Sequence, residues 1–314
     1  MTDFEPRAKQ YSVVNAERLG EAADLAYQDR AAVERTLKSW GMRGRFLDVV
    51  DLKKGDTQAF VAADPTVLVV AFRGSKDPLD FVTDARFAQT AFAPEGAVRG
   101  KVHSGFVDAL DVAWPAVRAA IREFRDASQP IWVTGHSLGA GLATLAVAHL
   151  AVEGAEVSGL YTFGSPRVGD TAFAASFDAV AKARTFRFVN DLDIVPRVPP
   201  EGVPLLPPYQ HIGTRKVFDA NGALTDRPDK LRWLTVAATA AEIAARAATT
   251  PKDQLKADIR THVKEPVDDH AMANYLKNLA AARTGSLQPE GTSVASVLTG
   301  LAGAVSAFRD LWRK

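Results

Sequence analysis

The 314-residue sequence predicts an α/β fold, a mostly parallel central sheet with helices on both faces. Two observations carry this. From residue 67 onward short apolar runs alternate with helical patterns, and VLVVAFRG at 67–74 is a near-continuous β-branched run of the kind buried on both faces.

The elements follow in order. Residues 15–29 read as a helix, because Leu19, Ala22, Ala23, Ala26 and Tyr27 recur at helical spacing after an Asn able to cap. FLDVVDL at 46–52 and AFVAAD at 59–64 are extended segments on either side of a KKGDT turn. Beyond the 67–74 strand, residues 107–125 read as a helix, PIWVTG at 130–135 as a strand and LGAGLATLAVAHLAVEG as a helix. VSGLYTFGS at 157–165 is a strand, TAFAASFDAVA at 171–181 a helix and TFRFVN at 185–190 a strand, so parallel crossovers dominate. There is no internal repeat.

Composition narrows the function. Lys and Arg total 38 against 37 Asp and Glu, a net charge of +1, which argues against a nucleic-acid binder driven by bulk charge. Cys is absent, which removes disulfides, thiolate metal sites and a cysteine nucleophile together. The first thirty residues carry charges every few positions with no apolar run long enough for a signal peptide, and no stretch matches a membrane-spanning helix. The expectation is a soluble, cytoplasmic protein.

GHSLG at 135–139 fits G-x-S-x-G, a pattern with a chance expectation of about 0.06 matches in a chain of this composition. Its context is a strand before and a small-residue helix after, the strand–turn–helix of a nucleophile elbow. A sharp turn lifts the Ser137 oxygen above the sheet and leaves no room for side chains two positions either side, which Gly135 and Gly139 satisfy. The helix N-terminus favours negative charge on a tetrahedral intermediate, with the N–H of Leu138 as first oxyanion donor. The alternative is a Gly-rich turn with Ser137 as a mere helix cap.

A serine nucleophile needs a base, and an elbow of this type places acid and then base later in the chain. His103, His136 and His149 precede or lie within the nucleophile region, leaving His211, His262 and His270. His211 reads as a structural strand histidine and His262 as solvated, whereas His270 sits just before a helix start, where a loop can deliver it to the carboxyl edge of the sheet. For the acid, Asp191 and Asp193 both follow a strand directly. In an extended chain they share a face, so spacing does not choose between them.

These residues resemble the class 3 lipase family of α/β hydrolases. The resemblance spans about residues 15–280 and rests on VVAFRGS, DFVTDARF, KVHSGFVDAL, GHSLGAGLA, TFGSPRVGD, NDLDIVPRVPP and DHAMANYL in that order. It implies an α/β-hydrolase fold with Ser137 as nucleophile, Asp193 before IVP as the acid, His270 of the DH pair as the base, and Ser75 after FRG as second oxyanion residue beside Leu138. The implied activity is hydrolysis of acylglycerols or related lipid esters through an acyl-enzyme, at a lipid–water interface, with no metal or cofactor. Phospholipase A1-type and aromatic, feruloyl-like esterases share the same chemistry, and a catalytically silent scaffold is the non-enzyme alternative. Oligomeric state is left open.

Segment 77–92 follows Ser75, where the family carries a mobile lid. Leu79, Val82, Phe87 and Phe92 would form its underside, the alternative being an ordinary buried loop-helix. The proline-rich stretch 196–208 is either a rigid connector or a wall of an acyl pocket. Residues 1–284 read as one hydrolase domain. An insertion at about 226–262 reads as a scaffold helix pair packed on the sheet, and 285–314 as a linker and an amphipathic helix packing on the core or on a second subunit.

Overall fold

The computed structural model describes residues 1–285 apart from 2, 52–54, 78, 84–86, 127, 202–206, 226–228 and 248. The expected C-terminal helix, and part of the proline-rich stretch, lie outside the described residues. In chain order the elements are α1 (Val13–Leu25), α2 (Arg30–Ser39), β1 (Arg43–Asp51), β2 (Gly55–Ala63), β3 (Leu68–Phe72), α3 (Leu79–Val82), β4 (Gln89–Ala91), β5 (Lys101–His103), α4 (Ser104–Phe124) and β6 (Ile131–His136). There follow α5 (Leu138–Val152), β7 (Val157–Phe163), α6 (Thr171–Ala181), β8 (Thr185–Asn190), a 3₁₀ turn (Val195–Arg197), β9 (Thr214–Phe218), β10 (Leu224–Thr225), α7 (Lys230–Ala247), α8 (Lys252–His262), α9 (Lys264–Asp268) and α10 (Met272–Thr284).

Eight strands form one sheet in the order β1-β2-β3-β6-β7-β8-β9-β10. The run β3-β6-β7-β8-β9 is parallel, while β1, β2 and β10 pair antiparallel at the two edges. The predicted α/β-hydrolase class is the observed one.

Strand alternation divides the core into two layers. Leu68, Val70 and Phe72 of β3 with Ile131 and Val133 of β6 face α4, α5 and α6. Val69 and Ala71 with Trp132 face α1, α2 and α10 on the opposite side. Helices cover both faces, so both sides of β3 must be apolar, which is why that strand reads as an unbroken hydrophobic run. Helix α5 is buried on nearly all sides and its sequence accordingly lacks a polar stripe.

Two sequence expectations need correction. The helix expected at 15–29 is α1 and already ends at Leu25, and a second helix that the sequence reading did not offer, α2, follows it. Asp29 accepts the Ala32 N–H and starts α2, which buries only Val33 and Leu37 and so shows little apolar periodicity. The helix pair α7–α8 does not lie on the sheet. It rests on α3 and on the 3₁₀ turn, adding Val236, Ala240, Ile243, Leu255 and Ile259 to the edge of the larger core. Amphipathicity specified a buried face but not the partner. Leu79, Val82, Phe87 and Phe92 are all buried, which a lid underside and an ordinary buried loop-helix both require, and the Phe81 ring stacks on Phe106 at 5.2 Å.

Among the described residues no helix is long and apolar enough to cross a membrane.

Candidate active site

The site is built at the carboxyl ends of β3, β6, β7 and β8, where the loops of an open parallel sheet converge. At the end of β6 the chain turns sharply through Ser137, whose backbone has φ 58° and ψ −129°. A non-glycine residue with positive φ is strained, and strain of this kind persists only where the surroundings impose it. The two flanking glycines explain how. A Cβ at Gly135 would lie 2.3 Å from the Gly139 carbonyl oxygen, and one at Gly139 would lie 2.3 Å from the Phe72 oxygen. Strand and helix can therefore cross only if both positions lack side chains. The Ser137 hydroxyl makes no capping hydrogen bond to α5, which removes the helix-cap alternative.

His270 arrives on the loop between α9 and α10. Its Nδ1 lies 3.0 and 2.9 Å from the two carboxylate oxygens of Asp193. A carboxylate only accepts, so Nδ1 carries the proton and Nε2 presents a lone pair. That Nε2 is buried and without a hydrogen-bond partner. Ser137, Asp193 and His270 are 2%, 0% and 2% exposed. The serine and imidazole are brought together through β7: the Ser137 N–H donates to Phe163, and the next residue, Gly164, passes so close under His270 that a Cβ would lie 2.7 Å from its Cε1. The hydroxyl and Nε2 are not hydrogen-bonded in this conformation, a common state for such pairs before substrate binds.

Asp193 and Asp191 do not share a face, because the chain leaves the extended conformation between β8 and the 3₁₀ turn. Asp191 turns outward to a two-point contact with Arg232 of α7, at 3.2 and 2.5 Å. Asp193 turns inward. Burial pushes its carboxyl up, but the adjacent His270, the Tyr275 hydroxyl and the Val195 N–H outweigh this and hold it below the usual carboxylate range. The Tyr275 O–H donates to Asp193 Oδ2 at 2.6 Å and accepts from the Asn190 N–H.

A second histidine shapes the site from below. The only acceptor role open at the His270 carbonyl requires His136 to donate from Nε2, 2.8 Å away, so its Nδ1 accepts from the Tyr27 hydroxyl at 2.8 Å. The two imidazole rings stack at 4.5 Å. Burial, reinforced by the neighbouring His270, lowers the His136 pKa to about 3, so it stays neutral. Sequence reasoning passed over Tyr27, His136 and Tyr275. The available signal for Tyr275 was its place on the apolar face of α10 with Met272 and Leu279.

Leu138 opens α5, and the first N–H groups of a helix have no intrahelical acceptor. Ser75 follows Gly74, which packs against the elbow so tightly that a Cβ would lie 2.6 Å from the His136 oxygen and 3.1 Å from Ser137 Cβ. Of the two expected oxyanion residues, Leu138 follows Ser137 directly and Ser75 follows the glycine that touches the elbow. His211 donates from Nε2 to the Pro196 carbonyl at 2.8 Å and supports the 3₁₀ turn; His262 Nδ1 lies 2.9 Å from the Asp258 carbonyl oxygen at the end of α8. Neither reaches the site. Among the described residues no group of acids and histidines could hold a metal ion.

An elbow serine with an imidazole and a buried carboxylate on a mostly parallel sheet defines the α/β-hydrolase class. Residues 69–203 match the family described as lipase (class 3). A secreted mono- and diacylglycerol lipase of Fusarium solani is 37% identical over 157 residues, 48% of this chain and 45% of that one. A phospholipase A1-II of Oryza sativa is 30% identical over 160 residues, 43% of this chain and 40% of that one. The mono- and diacylglycerol lipase structure from Aspergillus oryzae superposes with a TM-score of 0.58 at 27% identity, covering 69% of this chain and 84% of that one. The likeness to the class 3 lipase family thus covers residues 69–203 of this chain, and its matches span less than half the length of these curated relatives.

The cytoplasmic expectation is overturned by this likeness, since the Fusarium relative is a secreted enzyme and the comparison points outside the cell. The physical reason is that absence of Cys speaks only to disulfides. A chain of this length buries enough core to fold without them, so composition does not decide the compartment.

Proposed function

We propose that the protein is a serine carboxylic ester hydrolase acting on acylglycerols or related lipid esters. The observation that supports this most directly is His270, held by Asp193 in the tautomer that leaves Nε2 free beside a strained Ser137. In this reading Ser137 Oγ attacks the ester carbonyl while His270 Nε2 takes its proton and then passes it to the leaving alcohol. Asp193 orients the ring and stabilises the imidazolium. The N–H groups of Leu138 and Ser75 receive the charge developing on the carbonyl oxygen, and losing one such donor would cost about 10²–10³ in kcat. A water molecule then resolves the acyl-enzyme by the same proton route in reverse. Residues 1–284 act as one domain in this proposal, with α7–α8 inserted between acid and base.

Labelling with a fluorophosphonate probe tests the reading. The folded protein should be modified at Ser137 alone, and Ser137→Ala should abolish both labelling and ester hydrolysis. A folded protein that stays unlabelled would sink the proposal. Likeness to the Oryza phospholipase favours phospholipid acyl esters as a second substrate class. Rates on a p-nitrophenyl ester chain-length series beside phospholipid substrates separate the two.

A further inference from the structure

The His270 base is held in three ways, and two of them lead out of the triad. Asp193 takes its ring at Nδ1, while the His136 ring stacks on it at 4.5 Å. The third hold is on the main chain, where His136 Nε2 lies 2.8 Å from the His270 carbonyl oxygen. Two of the three therefore run through His136, the residue just before the nucleophile.

His136 is itself held at its far edge. Its Nδ1 lies 2.8 Å from the Tyr27 hydroxyl, so the buried ring is fixed by hydrogen bonds at both nitrogens. Helix α1 delivers Tyr27: it packs on β6, where the Thr134 hydroxyl donates to the Leu19 carbonyl at 3.0 Å, and Tyr27 follows its last turn. The phenol oxygen lies against the segment between β3 and Ser75, so close that a Cβ at Gly74 would collide with it. Burial raises the pKa of this hydroxyl while the Gly74 N–H acts the other way, and the group stays protonated.

These contacts share one direction. The His270 carbonyl can only accept, so His136 donates from Nε2 and accepts at Nδ1. The Gly74 N–H bonds to the phenol oxygen, which leaves the hydroxyl proton for Nδ1. A series of donors thus runs from the end of the oxyanion segment through Tyr27 and His136 to the backbone of the base, and bonds aligned in series polarise one another.

We infer that Tyr27 is a positioning residue for ester hydrolysis: acting through His136, it holds the His270 backbone and the segment carrying Ser75 in one geometry around Ser137. Its hydroxyl is committed to Gly74 and His136, so it acts on the reaction only through them. The effect belongs to the transition state, where proton transfer to Nε2 and charge on the carbonyl oxygen develop together. Tyr27 lies outside residues 69–203, so the family likeness does not contain it. The kinetic side of the inference rests on the proposed hydrolase function, whereas the hydrogen-bond series can be read without turnover.

Tyr27→Phe removes one oxygen and keeps the ring, including its contact with the Arg73 guanidinium 5.6 Å from the ring centroid. On a soluble p-nitrophenyl ester it should lower kcat by about 10- to 100-fold and change KM by less than about threefold, as expected when reacting groups are slightly misplaced. His136→Phe breaks the same series, so adding Tyr27→Phe to it should cost little more. An unchanged kcat in Tyr27→Phe, a loss confined to KM, or losses that multiply in the double variant would each overturn the inference. Imidazole nitrogen NMR of the Ser137→Ala protein needs neither turnover nor the His136 variant. His136 should show a protonated Nε2 and an unprotonated Nδ1 displaced by the bond it accepts, and Tyr27→Phe should return Nδ1 to the position of a free ring nitrogen. A protonated Nδ1 in the parent, or an Nδ1 resonance indifferent to Tyr27→Phe, would equally sink it. A parent protein that gives the expected spectra but stays unlabelled by fluorophosphonate would instead count against the hydrolase reading alone.

Discussion

Asp191 and Asp193 show how much one turn of backbone decides. Both follow β8, and an extended chain would aim them alike, yet only Asp193 meets an imidazole while Asp191 is committed to Arg232. The two Asn substitutions should therefore diverge. Asp193→Asn replaces an acceptor by an amide that can donate, lets the ring adopt the wrong tautomer, and should lower kcat by about 10⁴ with the fold intact. Asp191→Asn removes a partly buried ion pair that does not touch the imidazole and should change kcat by less than about tenfold. Steady-state kinetics on a soluble ester decide the matter, and comparable losses would mean that the acid is misassigned. Tyr275 belongs to the same scale. Its hydroxyl satisfies Asp193 Oδ2, and nothing in local sequence announces a bond that joins residues 82 positions apart.

The loop between α9 and α10 delivers His270, and its stability carries a pH dependence of its own. Asp269 accepts the Leu192 N–H at 3.0 Å, yet burial, with Asp191 and Asp193 nearby, raises its pKa to about 7. Its ordinary value is 3.8, so between about pH 4 and 7 the native state keeps a proton that the unfolded chain releases. Stability from this group is accordingly present at low pH and lost as pH rises through 7. An amide keeps the acceptor for Leu192 without ionising, so Asp269→Asn should gain Tm over the parent progressively from pH 4 to pH 8. A Tm difference that stays flat across that range would refute the assignment. The elements around the elbow were legible because backbone crossing demands Gly135 and Gly139, a requirement written in residue type. Helix α2 and the seat of α7–α8 were not, since both depend on which surface lies opposite. Hydrophobic periodicity says that a face is buried without saying against what.

At the scale of the whole molecule, the family likeness covers residues 69–203, but the second core layer is closed by chain outside that span. Residues 3–12 run along the β6–β7–β8 side of the sheet. The Phe4 ring meets Trp132 edge-on at 5.2 Å, Trp132 Nε1 donates to the Pro6 carbonyl at 2.9 Å, and the Ser12 N–H donates to the Tyr161 hydroxyl at 3.0 Å. Arg283 of α10 ties Asp3 and Glu17 together, fastening this segment to α1 and to the helix that follows His270. The segment thus lies on the opposite face of the sheet from α4 and α5 yet packs against the helix that carries Tyr275. Removing residues 1–12 should uncover Trp132 and Tyr161, with a cost of about 3 kcal/mol from lost apolar burial and aromatic contact. In a chain of this size that corresponds to a fall in Tm of about 4–5 °C. Tryptophan emission should shift to the red at the same time, because Trp132 leaves an apolar environment. Catalysis should suffer less than stability, since no residue of the segment touches Ser137, Asp193 or His270. If the shortened chain kept its Tm and its emission maximum, the segment would be an ornament on a core already complete without it.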